Sequence, residues 1–247
     1  MTAAPLRLGI AGLGTVGVGV LKMIQKNAIM ITQRTGREVT VSAVCAQSRD
    51  KDRGVDLSGY AWEDDPVLLA KRDDVDVFVE LIGGSTGPAK QATQDAIAAG
   101  KDVITANKAM LAEHGHSLAL SAEAAGRVIR YEAAVAGGIP VVKALTEGLA
   151  GNEIQRVLGV MNGSCNYILT RMEDAGLTYE EVFAEADGLG YLEADPNLDV
   201  GGIDAAHKLA ILASIAFGTE VDFASVVIEG IGAITIEDIH AAADMGY

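Results

Sequence analysis

Asp204 and Lys208 stand four residues apart at the head of residues 209–217 (LAILASIAF), a run that is apolar on nearly every side. Read as one helix, that run is buried, and charges in its opening turn must meet partners there. The approach, AEADGLGYLEADPNLDVGGIDAAHK over residues 184–208, packs acids and glycines into a loop that also carries Gly190, Glu193 and Asp199. A lysine held beside carboxylates under such a loop suits proton transfer to a small polar substrate. The same spacing also describes an i,i+4 ion pair on a surface turn, which contributes little to stability.

A second chemistry is written near the amino end. An apolar strand over residues 6–11 runs directly into Gly12-Leu13-Gly14-Thr15-Val16-Gly17, and residues 18–26 continue with helical character. This is G-x-G-x-x-G between a strand and a helix. The glycines there permit a tight turn, close approach of the backbone to a pyrophosphate, and helix–strand packing. The helix N-terminus then offers amides and the positive end of its dipole to phosphates. A glycine-rich turn without a ligand would satisfy the same letters. The next strand, residues 39–46, ends in Gln47-Ser48-Arg49. An acid at that tip would grip a ribose hydroxyl and mark NAD, whereas an arginine would suit the 2′-phosphate of NADP. Ser48, Arg49 and Lys51 favour NADP, while Asp50 and Asp52 offset them, so both cofactors stay open.

The elements that must position these groups alternate between strand and helix. Residues 75–82 (VDVFVELI) form a near-continuous apolar run, as a strand buried on both faces of a parallel sheet requires. Pro88 suits the first turn of a helix reaching Ala99, and residues 102–105 form a short strand ending in Ala106-Asn107-Lys108. In a doubly wound sheet the carboxyl ends of the strands face the ligand crevice, so Lys108 is expected to point to cofactor or substrate. A strand over 128–132 leads to Gly137-Gly138, taken as the domain junction. The expected architecture is therefore a Rossmann-type α/β domain over residues 1–136 and an α+β substrate domain over 137–247. In the second, strands are expected over 154–161 and 228–230, with helices over 165–175, from the Thr178 capping box to Asp187, and over 236–243.

Composition narrows the field. A net charge of −15 disfavours nucleic-acid and anionic-membrane partners. No apolar run reaches the roughly 18 residues of a membrane span, and no signal-peptide arrangement opens the chain. Cys45 and Cys165 are too few for a disulfide framework and lack metal-ligand spacing. A soluble protein of the reducing cytoplasm is the expectation.

GLGTVG at 12–17, TANK at 105–108, YEAAVAGGIP at 131–140, MNGSCNYIL at 161–169 and the segment 184–208 together resemble the homoserine dehydrogenases, in order and over nearly the whole chain. The resemblance implies NAD(P)-dependent interconversion of L-homoserine and L-aspartate 4-semialdehyde, on the route to threonine, methionine and isoleucine. It implies Lys208 as the proton-transfer residue, with Asp199 near the reacting centre. Glu193 and Asp204 become substrate-binding acids, with Glu193 on the substrate ammonium. Lys108 becomes the lysine on the cofactor and substrate side, and Gly190 a backbone contact with the cofactor. Glu132, Val135, Gly137 and Ile139 match a monovalent-cation site made mostly of backbone carbonyls, usually holding sodium; a structural turn is the alternative. Relatives continue beyond the point where this chain stops, so a truncated product and a homodimer covering exposed apolar surface are expected. A dinucleotide-binding fragment without catalysis, and a dehydrogenase of another amino-acid aldehyde, remain rival readings.

Overall fold

The computed structural model describes residues 3–192 and 195–247. The chain divides into two compact units, one reaching Ala150 and the other Gly151–Tyr247.

The first unit is a parallel sheet of six strands. Its elements are β1 (Leu6–Ala11), α1 (Thr15–Thr35), β2 (Val39–Cys45), β3 (Ala61–Glu63), α2 (Pro66–Lys71), β4 (Val77–Glu80), α3 (Pro88–Ala98), β5 (Asp102–Thr105), α4 (Lys108–Ala124) and β6 (Ile129–Arg130). The spatial order β3-β2-β1-β4-β5-β6 is the doubly wound arrangement. Side-chain alternation builds both layers. Leu8, Ile10, Val44, Val77 and Val79 pack with Leu21 and Ile24 of α1. Ala11, Ala43, Cys45 and Phe78 point the other way, onto Leu69, Ala92, Ala96, Met110 and Leu118 of α2, α3 and α4.

Register then sets where chemistry can happen. Ala11 lies opposite Cys45 in β2 and Glu80 in β4, and Glu80 lies opposite Thr105 in β5. The four strands therefore end level, and the loops 12–14, 46–48, 81–87 and 106–107 leave from one sheet edge. At the opposite end the chain is tied by charge. Arg7 donates Nη2 and Nε to Asp76 at 2.7 and 3.1 Å. Lys101, 6% exposed, donates Nζ to the carbonyls of Arg72 and Val75 at 2.6 and 2.7 Å, and its burial lowers its pKa.

Two boundaries differ from expectation. The helix after the glycine loop runs on to Thr35, where Gly36 closes it in the left-handed region. The strand expected over 128–132 keeps only Ile129–Arg130, because Glu132 begins the short helix α5 (Glu132–Val135). The first compact unit also takes in residues 137–150. The Glu132 carboxylate accepts from the amides of Val142 and Lys143 at 2.8 and 2.9 Å. This bond ties α6 (Val141–Lys143) and the π-helical turn Ala144–Gly148 to the first unit.

The second unit is helical among its described residues: α7 (Gly163–Ala175), α8 (Tyr179–Gly188), α9 (Pro196–Val200), α10 (Ile203–Phe217) and α11 (Ile236–Asp244). Ile168, Met172, Val182 and Ala186 form its fully buried centre. Four of the five helix starts carry a local side-chain signal, α10 alone among them opening at Gly202 without one. Asn162 caps α7, Asp195 with Pro196 opens α9, and capping boxes Thr178/Glu181 and Thr235/Asp238 open α8 and α11. The strands expected over 154–161 and 228–230 do not form. Among the described residues no ladder pairs with either segment, and β-structure needs a partner edge more than it needs propensity. Leu158 and Val160 are left exposed there, as is Val227 just before the second segment. No described helix is long and apolar enough to cross a membrane.

The Arg7 guanidinium holds the Asp76 carboxyl down at about 2, from an ordinary value of 3.8, chiefly by hydrogen bonding. A depressed carboxyl stabilises the fold above the ordinary value and ceases to do so as pH falls through the lowered one. The pair is partly exposed, so Arg7→Met should lower stability by at most about 1 kcal/mol at pH 7. Urea titrations at pH 7 and pH 2 should show the gap between wild type and variant closing at the lower pH. A gap that does not shrink would remove the pair from the acid response.

Candidate active site

The cleft of the first unit is shaped by what a side chain could not occupy. Gly12 adopts φ +101°, and a β-carbon there would collide with the Leu81 carbonyl. A β-carbon on Gly17 would strike the Gly12 carbonyl. These two glycines let β1 turn sharply beneath α1 and bring the helix down on the strand. Gly14 differs: its β-carbon would meet nothing within 4 Å, so its bareness serves no packing inside the protein. It is also the N-cap of α1 and offers no side-chain cap, which leaves the first-turn amides of Thr15, Val16 and Gly17 for an outside acceptor.

A cavity of about 570 Å³ opens at this point, with Gly12, Gly14, Ser48, Lys51 and Arg53 among its lining. Arg53 is the residue that sequence reading missed. Its guanidinium donates to the carbonyls of Leu13 (Nε, 3.2 Å), Lys51 (Nη1, 2.9 Å) and Ser48 (Nη2, 2.5 Å), riveting the glycine loop to the tip of β2. Arg49 and Arg53 both lie over the Trp62 ring, at 5.9 and 5.7 Å from its centroid. Nothing local in the sequence ties Arg53 to Leu13, forty positions away. Cys45 in the cavity lining has its thiol pushed up to about 11, first by burial and then by Asp65, Asp64 and Glu63.

In the second unit the opening turn of α10 carries a compact polar cluster. Lys208 donates Nζ to Asp204 Oδ2 at 2.7 Å and to the Met161 carbonyl at 2.8 Å. Asp204 is 4% exposed, as is Asp199 of α9. Asn162 bridges the two acids: its Nδ2 donates to Asp199 Oδ1 at 2.8 Å and to Asp204 Oδ2 at 2.9 Å, while its Oδ1 caps α7 by accepting from Cys165 N at 2.8 Å. The ion pair is therefore not the solvated surface pair that its spacing allowed. Asn162 was legible in sequence only as a turn residue before a helix; its link to two acids about forty residues on left no local mark. The arrangement can hold an ammonium against a carboxylate while presenting it to a small polar molecule.

Residues 12–132 match the family model described as homoserine dehydrogenase, NAD binding domain, and residues 140–247 match the model described as homoserine dehydrogenase. The homoserine dehydrogenase of Neisseria gonorrhoeae is 46% identical over 243 residues, covering 98% of this chain and 55% of that protein. The crystal structure of a homoserine dehydrogenase from Thiobacillus denitrificans superposes with TM-score 0.94 at 44% identity, over 98% of this chain and 56% of that one. A candidate homoserine dehydrogenase from Archaeoglobus fulgidus is 38% identical with TM-score 0.87, over 98% of this chain and 78% of that one. The chain belongs to the homoserine dehydrogenase family. It spans about half the length of the curated homoserine dehydrogenases it matches.

Of the site residues read from the sequence, Gly12, Gly14 and Ser48 line the first cleft, Thr15, Val16 and Gly17 form the first turn of α1, and Arg49 lies over Trp62. Lys108 opens α4 immediately after its cap, Asn107. Asp199, Asp204 and Lys208 gather in the second unit, where Gly190 ends the turn after α8 with φ +73°. Glu193 lies outside the described residues. Val135 is buried at the end of α5, and Gly137 and Ile139 are exposed beyond it. The Glu132 and Ile139 carbonyls accept from Ala136 and Val141 amides, and the Glu132 carboxylate caps α6. Among the described residues no group of three or more His, Cys, Asp or Glu could hold a metal ion.

The glycines separate ligand from packing. Gly14→Val should fold with an unchanged melting temperature and bind NADPH at least about tenfold more weakly, because its side chain enters the phosphate space. Gly17→Val should instead lower stability by roughly 1–3 kcal/mol, through its clash with the Gly12 carbonyl. Thermal melts and NADPH fluorescence titrations read both; normal NADPH affinity in Gly14→Val would refute the cradle.

Proposed function

We propose that the protein interconverts L-homoserine and L-aspartate 4-semialdehyde with NADPH or NADH, in the biosynthesis of threonine, methionine and isoleucine. The observation that carries this reading is the Lys208 ammonium fixed by Asp204 and the Met161 carbonyl, in a chain whose glycine loop leaves Gly14 bare at a helix N-terminus. The bound nicotinamide supplies the hydride donor or acceptor. The protein has to hold the substrate and manage one proton.

Lys208 performs the second task. Two of its three N–H donors are engaged by Asp204 and Met161, which fixes the direction of the third; that donor we assign to the substrate oxygen. In reduction Lys208 gives its proton to the aldehyde oxygen, and in oxidation it receives the hydroxyl proton. Asp204 keeps the ammonium in place, and Asn162 holds Asp204 and Asp199 together against their mutual repulsion. Asp199 and Asp204 line the substrate side, Glu193 takes the substrate ammonium, and Lys108 serves the cofactor and substrate. Gly190 offers its backbone to the cofactor, and the Glu132, Val135, Gly137 and Ile139 carbonyls form a sodium site. A cytoplasmic homodimer completes the reading, supported by the exposure of Leu158, Val160 and Val227 and by a net charge that repels nucleic acid and anionic lipid.

NADPH-dependent reduction of aspartate semialdehyde tests the whole. Lys208→Ala should lose roughly 10²–10⁴-fold in kcat while keeping its circular dichroism spectrum and its NADPH affinity. Glu193→Ala should mainly raise KM. A wild type that quenches NADPH fluorescence without turnover is a binding fragment, and near-normal turnover in Lys208→Ala takes that lysine out of the chemistry.

A further inference from the structure

A single acid closes the apolar strand β4. Glu80 is fully buried. Its Oε1 accepts from the amides of Ile82 and Gly83 at 2.8 and 3.0 Å, and its Oε2 accepts from Thr105 Oγ1 at 2.5 Å. The Thr105 oxygen in turn accepts from Asn107 N at 3.0 Å, which commits the hydroxyl proton to Glu80. Asn107, 5% exposed, completes the ring: Nδ2 donates to the Gly84 carbonyl at 2.7 Å and Oδ1 accepts from Met110 N at 3.0 Å. Six hydrogen bonds thus lock the loop after β4 to the corner between β5 and α4, where Lys108 begins its helix.

A connection between two parallel strands does not need a buried carboxylate, and burying one carries a large desolvation cost unless donors meet it. The loop it organises is unusual as well. Gly83 and Gly84 take φ +87° and +84°, and a β-carbon on Gly83 would meet nothing within 4 Å. Like Gly14, this backbone is bare towards open space. In a doubly wound sheet the pyrophosphate sits on the N-terminus of α1 and the adenosine ribose lies towards β2. The other half of a dinucleotide must then cross β1 towards β4 and β5, where this loop and corner stand.

We propose that Glu80, acting through Thr105 and Asn107, is a positioning residue that shapes the nicotinamide half of the cleft and sets the start of α4. The inference rests on the dinucleotide reading and adds a division of labour to it. The glycine loop and β2 tip hold the adenosine and phosphates, and the Glu80 ring holds the surface for the reactive ring.

The test uses the full chain and two ligands, NADPH and 2′-phospho-ADP-ribose, the second lacking nicotinamide. Wild type should bind NADPH more tightly. Thr105→Val keeps the side-chain shape but removes the donor to Glu80. It should reduce the preference for NADPH by about tenfold while leaving affinity for the fragment within about twofold. Thr105→Ser should restore the preference. Glu80→Gln, which keeps volume and the acceptor for both amides, should repeat the loss should Thr105→Val not fold. Equal weakening of both ligands would make the ring structural only and overturn the proposal, as would an unchanged preference in both variants. A wild type that binds the fragment as tightly as NADPH overturns this inference alone. Should wild type bind neither, the same comparison is run with NADH and ADP-ribose, and a wild type that binds none of the four overturns the dinucleotide reading and this inference with it.

Discussion

A carboxylate removed from water must be met by donors, and both sites of this protein are arranged by that demand. Glu80 draws two loop amides and a hydroxyl towards the end of β4. Asp199 and Asp204 draw in the amide of Asn162, and Asp204 also takes Lys208. Remove the donors and each acid becomes an uncompensated buried charge, which costs several kcal/mol. Residues that would otherwise belong to separate helices and loops are thereby held at fixed separations. Rigidity at the sites is a by-product of solvating acids with protein.

The two arrangements do different work because their donors differ. Backbone amides and a hydroxyl are neutral, so the Glu80 ring fixes the course of the main chain and leaves the acid itself out of reach. An ammonium is charged and carries a movable proton, so the Asp204 cluster leaves a titratable group in place at the head of a helix. Sheet register supplies the frame for the first. With Ala11, Cys45, Glu80 and Thr105 level, every loop that departs from that edge starts from a defined height. Asn162 supplies the frame for the second, since one side chain both caps α7 and spans α9 and α10.

Legibility in the sequence followed the range of the interaction. The strand and glycine turn at 6–17 and the helix as far as residue 26 were readable because their causes lie within a few residues; its run on to Thr35 was not. The capping box at Thr178 and the proline start at Pro88 were readable too, whereas the Thr235 box and the Pro196 start were not, the latter because 184–208 reads as a loop. The pairing of Asp204 with Lys208 was readable, being one helical turn. What else escaped was held together at a distance. Arg53 reaches back to Leu13, Asn162 reaches forward to Asp199 and Asp204, and Glu80 meets Thr105 across two strands. Residues 154–161 failed as a strand for the complementary reason: their pattern is right, but a strand is completed by its neighbour. Glu132 is a further case of reach over distance, since its carboxylate reaches ten residues on to the amides of Val142 and Lys143.

Cys45 shows how the same frame treats a group that takes no part in the chemistry. It ends β2 in the lining of the cavity beside the glycine loop, where a reactive thiol would invite oxidation or alkylation. With its pKa pushed up to about 11 by burial and the neighbouring acids, very little thiolate is present near neutral pH, and it is the thiolate that oxidants and electrophiles attack. The acids on β3 and at the head of α2 that raise it also repel anionic oxidants. Under oxidative stress the cleft should outlast more exposed thiols, so chemical durability of the cofactor site comes from sheet burial and a neighbouring patch of negative charge.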